Sequence, residues 1–235
     1  MFCLILICIV LACLSFHFKY TSKQNAIKSL PLPRTLTMMI YPSDNTQCPK
    51  IVHRSFRSRA ESKRLFKNAW RCTEEGLRGE GWEQRFYSDR DVDRWITKHF
   101  GGSRIATAYN LINPAYGASR ADYFRYLLLF VEGGLWLDSK SCAVSPPPPF
   151  EEGGEIMISP WRHIIWSNIY LFGLRGEFQN WYIYAKPRSK VLWSVIERVT
   201  QNIFDVQEKP NAAACTKLAD ASTKAKALVL GVTGP

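Results

Sequence analysis

Residues 188–204, "RSKVLWSVIERVTQNIF", place Val191, Leu192, Val195, Ile196, Val199 and Ile203 three and four positions apart. That is the spacing of one apolar stripe on a helix. A looser version of the same period runs through "SKRLFKNAWRCTEEGL" (62–77), at Leu65, Phe66, Ala69, Trp70 and Leu77. "DVDRWITKHF" (91–100) opens on an acid-rich turn and stops at Gly101–Gly102, as helices do. The best-marked element is "SRADYFRYLLLFVEGG" (119–134). There Ser119 with Asp122 reads as a capping box, Tyr123 to Val131 is apolar on nearly every side, and Gly133 stands where a helix ends left-handed. Short apolar runs fall between these helices: Ile51–Val52, "WEQRFYSD" (82–89), "LWLD" (135–138), "EIMISP" (155–160), "NIYLFGL" (168–174) and "ALVL" (227–230). They read as strands, and "SPPPPF" (145–150) cannot continue a ladder. Helices alternating with short apolar strands predict a layered α/β domain.

The chain begins differently. "MFCLILICIVLACLSFHF" carries no charge until Lys19, which suits a signal-anchor over 1–18, with a cleaved signal peptide as the alternative. Lys19, Lys23 and Lys28 follow the run, so the positive-inside rule argues against a cytosolic N-terminus, and orientation stays open. Residues 19–47 hold Pro31, Pro33 and Pro42 among Ser, Thr and Asn without periodicity, the composition of a stem or linker. The folded domain is expected over 48–235.

Composition narrows the partners. The 235 residues are 46% hydrophobic and 13% aromatic, which supports a packed core and excludes disorder. Lys and Arg number 31 against 20 acids, a formal charge of +11, which favours anionic partners. The charge is spread along the chain, with neither a basic run nor an aromatic RNA signature, so nucleic acid is not expected. Beyond the leader, Cys48, Cys72, Cys142 and Cys215 permit two disulfides in three pairings, and their wide spacing is not that of a zinc site.

The candidate chemistry gathers around 119–141. Asp138 closes the strand "LWLD", and ligands of open α/β sheets bind beyond the carboxyl ends of strands. Asp122 and Arg125 share one helix face, and Ser119 and Arg120 stand at that helix's start, where unpaired N–H groups favour anions. Gly133 and Gly134 let helix and strand pack closely. Two carboxylates and two guanidinium groups around one polar hole would suit a ligand with hydroxyls at one end and phosphates at the other. Taken alone, Asp122 and Arg125 also fit a helix-surface ion pair, and Asp138 a polar strand end.

"NPAYGASRADYFRYLLLFVEGGLWLDSKS" (113–141) resembles the sugar-binding, DXD-containing region of glycosyltransferase family 32. "PKIVHRSF" is similar to that family's opening strand, "GWEQRFYSDRD" to its next segment, "NWYIYAKPRSKVL" to its Asn-to-His-Pro element, and "VTGP" to its late Thr-Gly-Pro turn. The resemblance implies a GT-A-like (Rossmann-like) single domain with a mixed sheet, a nucleoside diphosphate sugar donor, and hexose transfer to a glycan or glycolipid acceptor with retention. It implies a catalytic role for Asp138, donor binding by Arg120, Asp122, Arg125, Gly133, Gly134 and His53, and an acceptor-side role for Asn180; Lys140, on the same turn as Asp138, is the second catalytic candidate by its own charge. The apolar run itself would hold a membrane through residues 2–18 and fits a secretory-pathway, Golgi-like lumenal location, with secretion as the alternative.

The sequence departs from the family pattern at Lys140, where the DXD motif has its second acid. The family's divalent ion, Mn or Mg, would have Asp138 as ligand, but an ammonium group cannot coordinate it. Either Lys140 puts its own charge on the diphosphate, or a metal binds through Asp138 and groups the sequence does not locate. Repulsion between an ammonium and a divalent ion at low dielectric favours the first. Family members continue past the Thr-Gly-Pro turn, whereas "VTGP" are the last residues here. A shortened or catalytically degenerate form, retained as a binding or partner subunit, is therefore the alternative to an active transferase. A basic membrane-peripheral module without a sugar site is a third.

Overall fold

In the computed structural model, three strands run parallel: β1 (Ile51–Ser55), β2 (Glu83–Tyr87) and β3 (Gly134–Leu137). β5 (Glu177–Ala185) pairs antiparallel with both β3 and β4 (Ile156–Trp161), giving one mixed sheet in the order β2-β1-β3-β5-β4. The structure describes residues 47–161 and 177–207. The expected leader, nearly all of the linker, the strands expected at 168–174 and 227–230, and "VTGP" lie outside them. Among the described residues no helix is long and apolar enough to cross a membrane.

Each residue of β3 is buried, as befits a central strand covered on both faces. Its alternation sorts the core into two layers. Trp136, with Ile183 and Ala185 of β5, joins the large apolar cluster on one face, while Leu135 and Leu137 join Val52, Leu77, Ala143 and Tyr184 on the other. The large cluster is built by α3 (Asp89–Phe100), α4 (Arg104–Leu111), α5 (Gly117–Glu132) and α6 (Lys190–Gln207). Leu127, Leu128, Leu129 and Phe130 of α5 are all fully buried, so this helix is enclosed all round, as its sequence requires.

Several expectations change in detail. The helix read over 62–77 is two, α1 (Arg59–Leu65) and α2 (Lys67–Gly76), with Phe66 leaving helical geometry between them. Ser58 caps α1 by accepting from the Glu61 amide. Helix α4 was not legible in the sequence. Its N-cap is Ser103, and its apolar residues, Ile105, Ala106, Ala108, Tyr109 and Leu111, show little periodic contrast. Ser119 is not the cap of α5: the helix starts at Gly117, Tyr116 precedes it, and the buried Ser119 hydroxyl has no partner among the described residues. Asp122 turns to Arg125 instead. The capping box that does form is Ser88 with Asp91, at the start of α3.

The double glycine behaves as expected and is needed twice over. Gly133 ends α5 at φ +67, and a Cβ there would lie 2.6 Å from Pro187 Cδ. Gly134 has φ +99, and its Cβ would lie 2.7 Å from the Ile51 carbonyl oxygen. Only glycine accepts both the conformation and the approach of β1.

Strand order positions the site. The chain leaves β1 for β2 on one side and then crosses to β3 on β1's other side. At that switch the connections diverge, leaving a crevice beyond the carboxyl ends of β1 and β3.

Candidate functional site

A cleft of about 550 Å³ opens at that crevice, within the ordinary size of small-molecule sites. Three exits from the parallel strands line it: Ser55 at the end of β1 with Phe56 and Arg57 after it, Asp89 after β2, and Asp138, Ser139 and Lys140 after β3. Asp122 and Arg125 come from α5, and Trp136 from β3 itself.

Arg125 organises the floor. Its side chain is 4% exposed, with Nη2 at 2.6 Å from Asp122 Oδ1 and 3.2 Å from Asp138 Oδ1. Nη1 donates to the Asn180 carbonyl of β5, and the guanidinium stands 5.3 Å from the centre of the Trp136 ring. Trp136 Nε1 donates to the same Asp138 oxygen at 3.0 Å. A buried cation with this many acceptors is well compensated, and the surface ion pair left open by the sequence is excluded. Asp138 remains 27% exposed, so part of its carboxylate faces the cleft.

The turn that carries Asp138 and Lys140 is fixed from below. The Asp138 amide donates to Trp181 O at 3.0 Å, and the Ser141 amide donates back to Asp138 O at 2.8 Å. Arg54, 1% exposed, donates through Nη1 to the carbonyls of Asp138 at 2.9 Å and Ser139 at 3.2 Å, and through Nη2 to Thr73 Oγ1 at 2.7 Å. Burial lowers its pKa to about 10, so it is still a cation at neutral pH. Ser139 Oγ donates to Ser55 O, and a disulfide joins Cys142 to Cys72 of α2. Lys140 thus rises from a rigid base while its side chain is exposed, with no ion pair among the described residues.

The structure brings Asp122, Arg125, Asp138 and Lys140 together and places the other expected residues elsewhere. His53 is fully buried behind the glycines, its Nε2 at 2.9 Å from Gly133 O and its Nδ1 at 3.2 Å from the Tyr87 hydroxyl. Burial lowers its pKa to about 4, leaving a neutral ring whose Nε2–H donates to the carbonyl. Gly133 and Gly134 do not line the cleft; they set the path between α5 and β3. Arg120 pairs with Asp93 of α3 at 3.1 Å and lies over the Tyr109 ring at 4.3 Å. Asn180 is adjacent, its Nδ2 at 3.5 Å from Asp122 Oδ1.

Sequence reasoning missed Arg54, Arg57 and the apolar wall of Phe56 and Phe66. Arg54 left a usable signal, because a charge inside a five-residue strand must find buried acceptors. Arg57 left none beyond its place just after a strand.

The residues present do not fit a divalent ion held by the protein. Among the described residues no three His, Cys, Asp or Glu side chains gather as a metal site. Asp138 Oδ1 already accepts from a guanidinium and an indole, and Lys140 offers no oxygen.

Fold and site together define an open, mixed α/β protein with a polar cleft at its switch point. No protein-family model matches the chain, and no curated protein matches it. Among solved structures it is similar to "PaToxG Glycosyltransferase", with 14% identity, a TM-score of 0.49, and coverage of 92% of this chain and 76% of that one. At that score the likeness carries neither fold nor chemistry, which rest on the geometry above.

Proposed function

We propose that this chain is a glycosyltransferase of the family 32 type, moving a hexose from a nucleoside diphosphate sugar to a glycan or lipid-linked acceptor with retention. The observation that carries the proposal is the Asp122–Arg125–Asp138 bridge on the floor of a cleft at the carboxyl ends of parallel strands. Carboxylates clamped in this way accept hydrogen bonds from sugar hydroxyls in fixed directions. The resemblance of residues 113–141 to the family's sugar-binding region supports the same assignment.

Arg125 holds one oxygen of each acid, which weakens both carboxylates as nucleophiles. Transfer then proceeds on one face of the sugar. The bond from the anomeric carbon to the phosphate oxygen breaks, and its electron pair leaves with the diphosphate. The acceptor hydroxyl oxygen bonds to the same face, and its proton passes to the departing phosphate. Stabilising that leaving group supplies most of the rate. Asn180 would meet the acceptor from β5, while His53, Gly133 and Gly134 act through the backbone path they set and Arg120 through the packing of α5 on α3 and α4. The Cys72–Cys142 disulfide supports an oxidising compartment, as a secretory-pathway location reached through residues 2–18 would provide.

The test is incubation of the full chain with a panel of nucleotide hexoses and glycan or glycolipid acceptors, followed by NMR of the anomeric proton. Transfer with the donor's configuration kept is expected. No saturable binding of any nucleotide sugar would overturn the proposal. Binding without transfer would instead identify the degenerate partner subunit, which the lysine in the acid position favours.

A further inference from the structure

Resting on the nucleotide-sugar reading, we propose that Lys140 and Arg57 grip the donor's diphosphate directly, in place of a protein-held divalent cation. The two side chains enter the cleft from the exits of adjacent parallel strands, Arg57 after β1 and Lys140 after β3. An anion seated at the switch point lies between them.

One oxygen of each acid that would bind a metal is already engaged. Asp138 Oδ1 accepts from Arg125 and Trp136, and Asp122 Oδ1 accepts from Arg125 and Asn180. A divalent ion at Asp138 would sit beside a guanidinium 3.2 Å from the same oxygen, with the Lys140 ammonium two residues along the same turn. Moving Arg125 aside would break contacts on three sides of a nearly buried cation.

The cations that would replace the metal are available. Lys140 is exposed and without an ion pair among the described residues. Arg57 is 71% exposed, and its ion pair among the described residues, to Glu61 at 3.5 Å, is a surface i,i+4 contact of a weak kind. Phe56 and Phe66 wall the same cleft and exclude water beside the anion, which strengthens each charge. An ammonium on a flexible stem can follow a diphosphate as it departs, and a guanidinium can hold two of its oxygens at once.

Calorimetric titration of the full chain with inorganic pyrophosphate, GDP and UDP, in excess EDTA and then in excess Mn2+, tests this. Affinity for the bound diphosphate is expected to stay within about twofold between the two conditions. Lys140→Ala and Arg57→Ala should each weaken it by about tenfold, the loss of one charge-assisted contact. Lys140→Asp should abolish binding in EDTA and recover it in Mn2+, whereas Arg71→Ala, exposed on α2, should change nothing. Circular dichroism of each variant checks that it is folded. Nucleoside diphosphate binding that requires Mn2+ overturns the direct grip while leaving the nucleotide-sugar proposal standing, as does binding indifferent to both alanine variants. Pyrophosphate binding that depends on Lys140 and Arg57, with no binding of either nucleotide, upholds the grip and sinks the nucleotide proposal.

Discussion

Arg125 Nη2 lies 3.2 Å from Asp138 Oδ1, joining the middle of α5 to the end of β3 through a guanidinium that is 4% exposed. The same nitrogen lies 2.6 Å from Asp122 Oδ1, so one cation is shared between two acids on the floor of the cleft. Removing it leaves two carboxylates facing each other with reduced access to water. Arg125→Leu is expected to cost about 3 kcal/mol at neutral pH, the ordinary penalty for breaking a buried pair from one side. Urea denaturation at neutral pH measures the loss, and Arg125→Lys should recover a fraction of the stability. A variant as stable as the parent at neutral pH would show that the bridge holds nothing together.

The corner between α5 and β3 depends on backbone space. Gly134→Ala forces a side chain into φ +99 and to 2.7 Å from the Ile51 carbonyl, against backbone that cannot yield cheaply. A loss of roughly 2–4 kcal/mol is expected from strain and clash together. Gly79 separates the two causes: it has φ +79 but nothing within 4 Å of a Cβ. Gly79→Ala should cost only about 1 kcal/mol, the left-handed penalty alone. Thermal melts of the two variants side by side decide between conformation and packing as the reason for the glycine.

His53 gives the fold an acid-sensitive point. Burial pushes its pKa from the ordinary 6.5 down to about 4, outweighing the attraction of Glu132. The unfolded chain therefore binds a proton between those values that the native chain refuses, so stability rises with pH across that window. The contribution is complete above pH 6.5 and gone below about 4, and amounts to roughly 3 kcal/mol. Denaturant midpoints taken from pH 4 to 7 should show this slope, and His53→Leu should flatten it. An unchanged slope in that variant would assign the acid sensitivity to other groups.

Much of this architecture was legible in the chain. The apolar stripe of 188–204 and the all-round apolar run from Tyr123 to Val131 marked α6 and α5, because their periods follow directly from which faces are buried. The acid at the end of "LWLD" and the pair on the helix before it gave Asp138, Asp122 and Arg125, since charges in such apolar company require partners. What stayed hidden depends on distant sequence. His53 lies within the first strand, and register sets it opposite Trp136, under the glycine corner and away from any ligand. Arg120 sits at a helix start suited to anions, but Asp93 and Tyr109 from other helices claim it. Of the three cysteine pairings the sequence allowed, composition could not choose; the fold closes Cys72 on Cys142 and leaves Cys48 as a thiol against Ala185 O.

That disulfide ties α2 to the loop leaving the cleft, four residues beyond Asp138, and spans 70 residues of chain. In the chain-entropy account a closure of that length is worth ~4 kcal/mol, so Cys72→Ala with Cys142→Ala should melt well below the parent. The consequence for the site is more specific. Arg54 and Ser139 hold the Asp138 turn by hydrogen bonds that survive reduction, whereas the stretch from Ser141 to Ala143 loses its covalent anchor on α2 and is left tied to that helix, among the described residues, through the Ala143 amide donating to Thr73 Oγ1. Lys140, between these two parts, should become less ordered while Asp138 stays in place. Nucleoside diphosphate affinity in the double variant is then expected to fall more than sugar selectivity does, measured below its melting temperature against several nucleotide hexoses. Equal losses in both would mean that the whole floor, and not the Lys140 side of it, hangs on the crosslink.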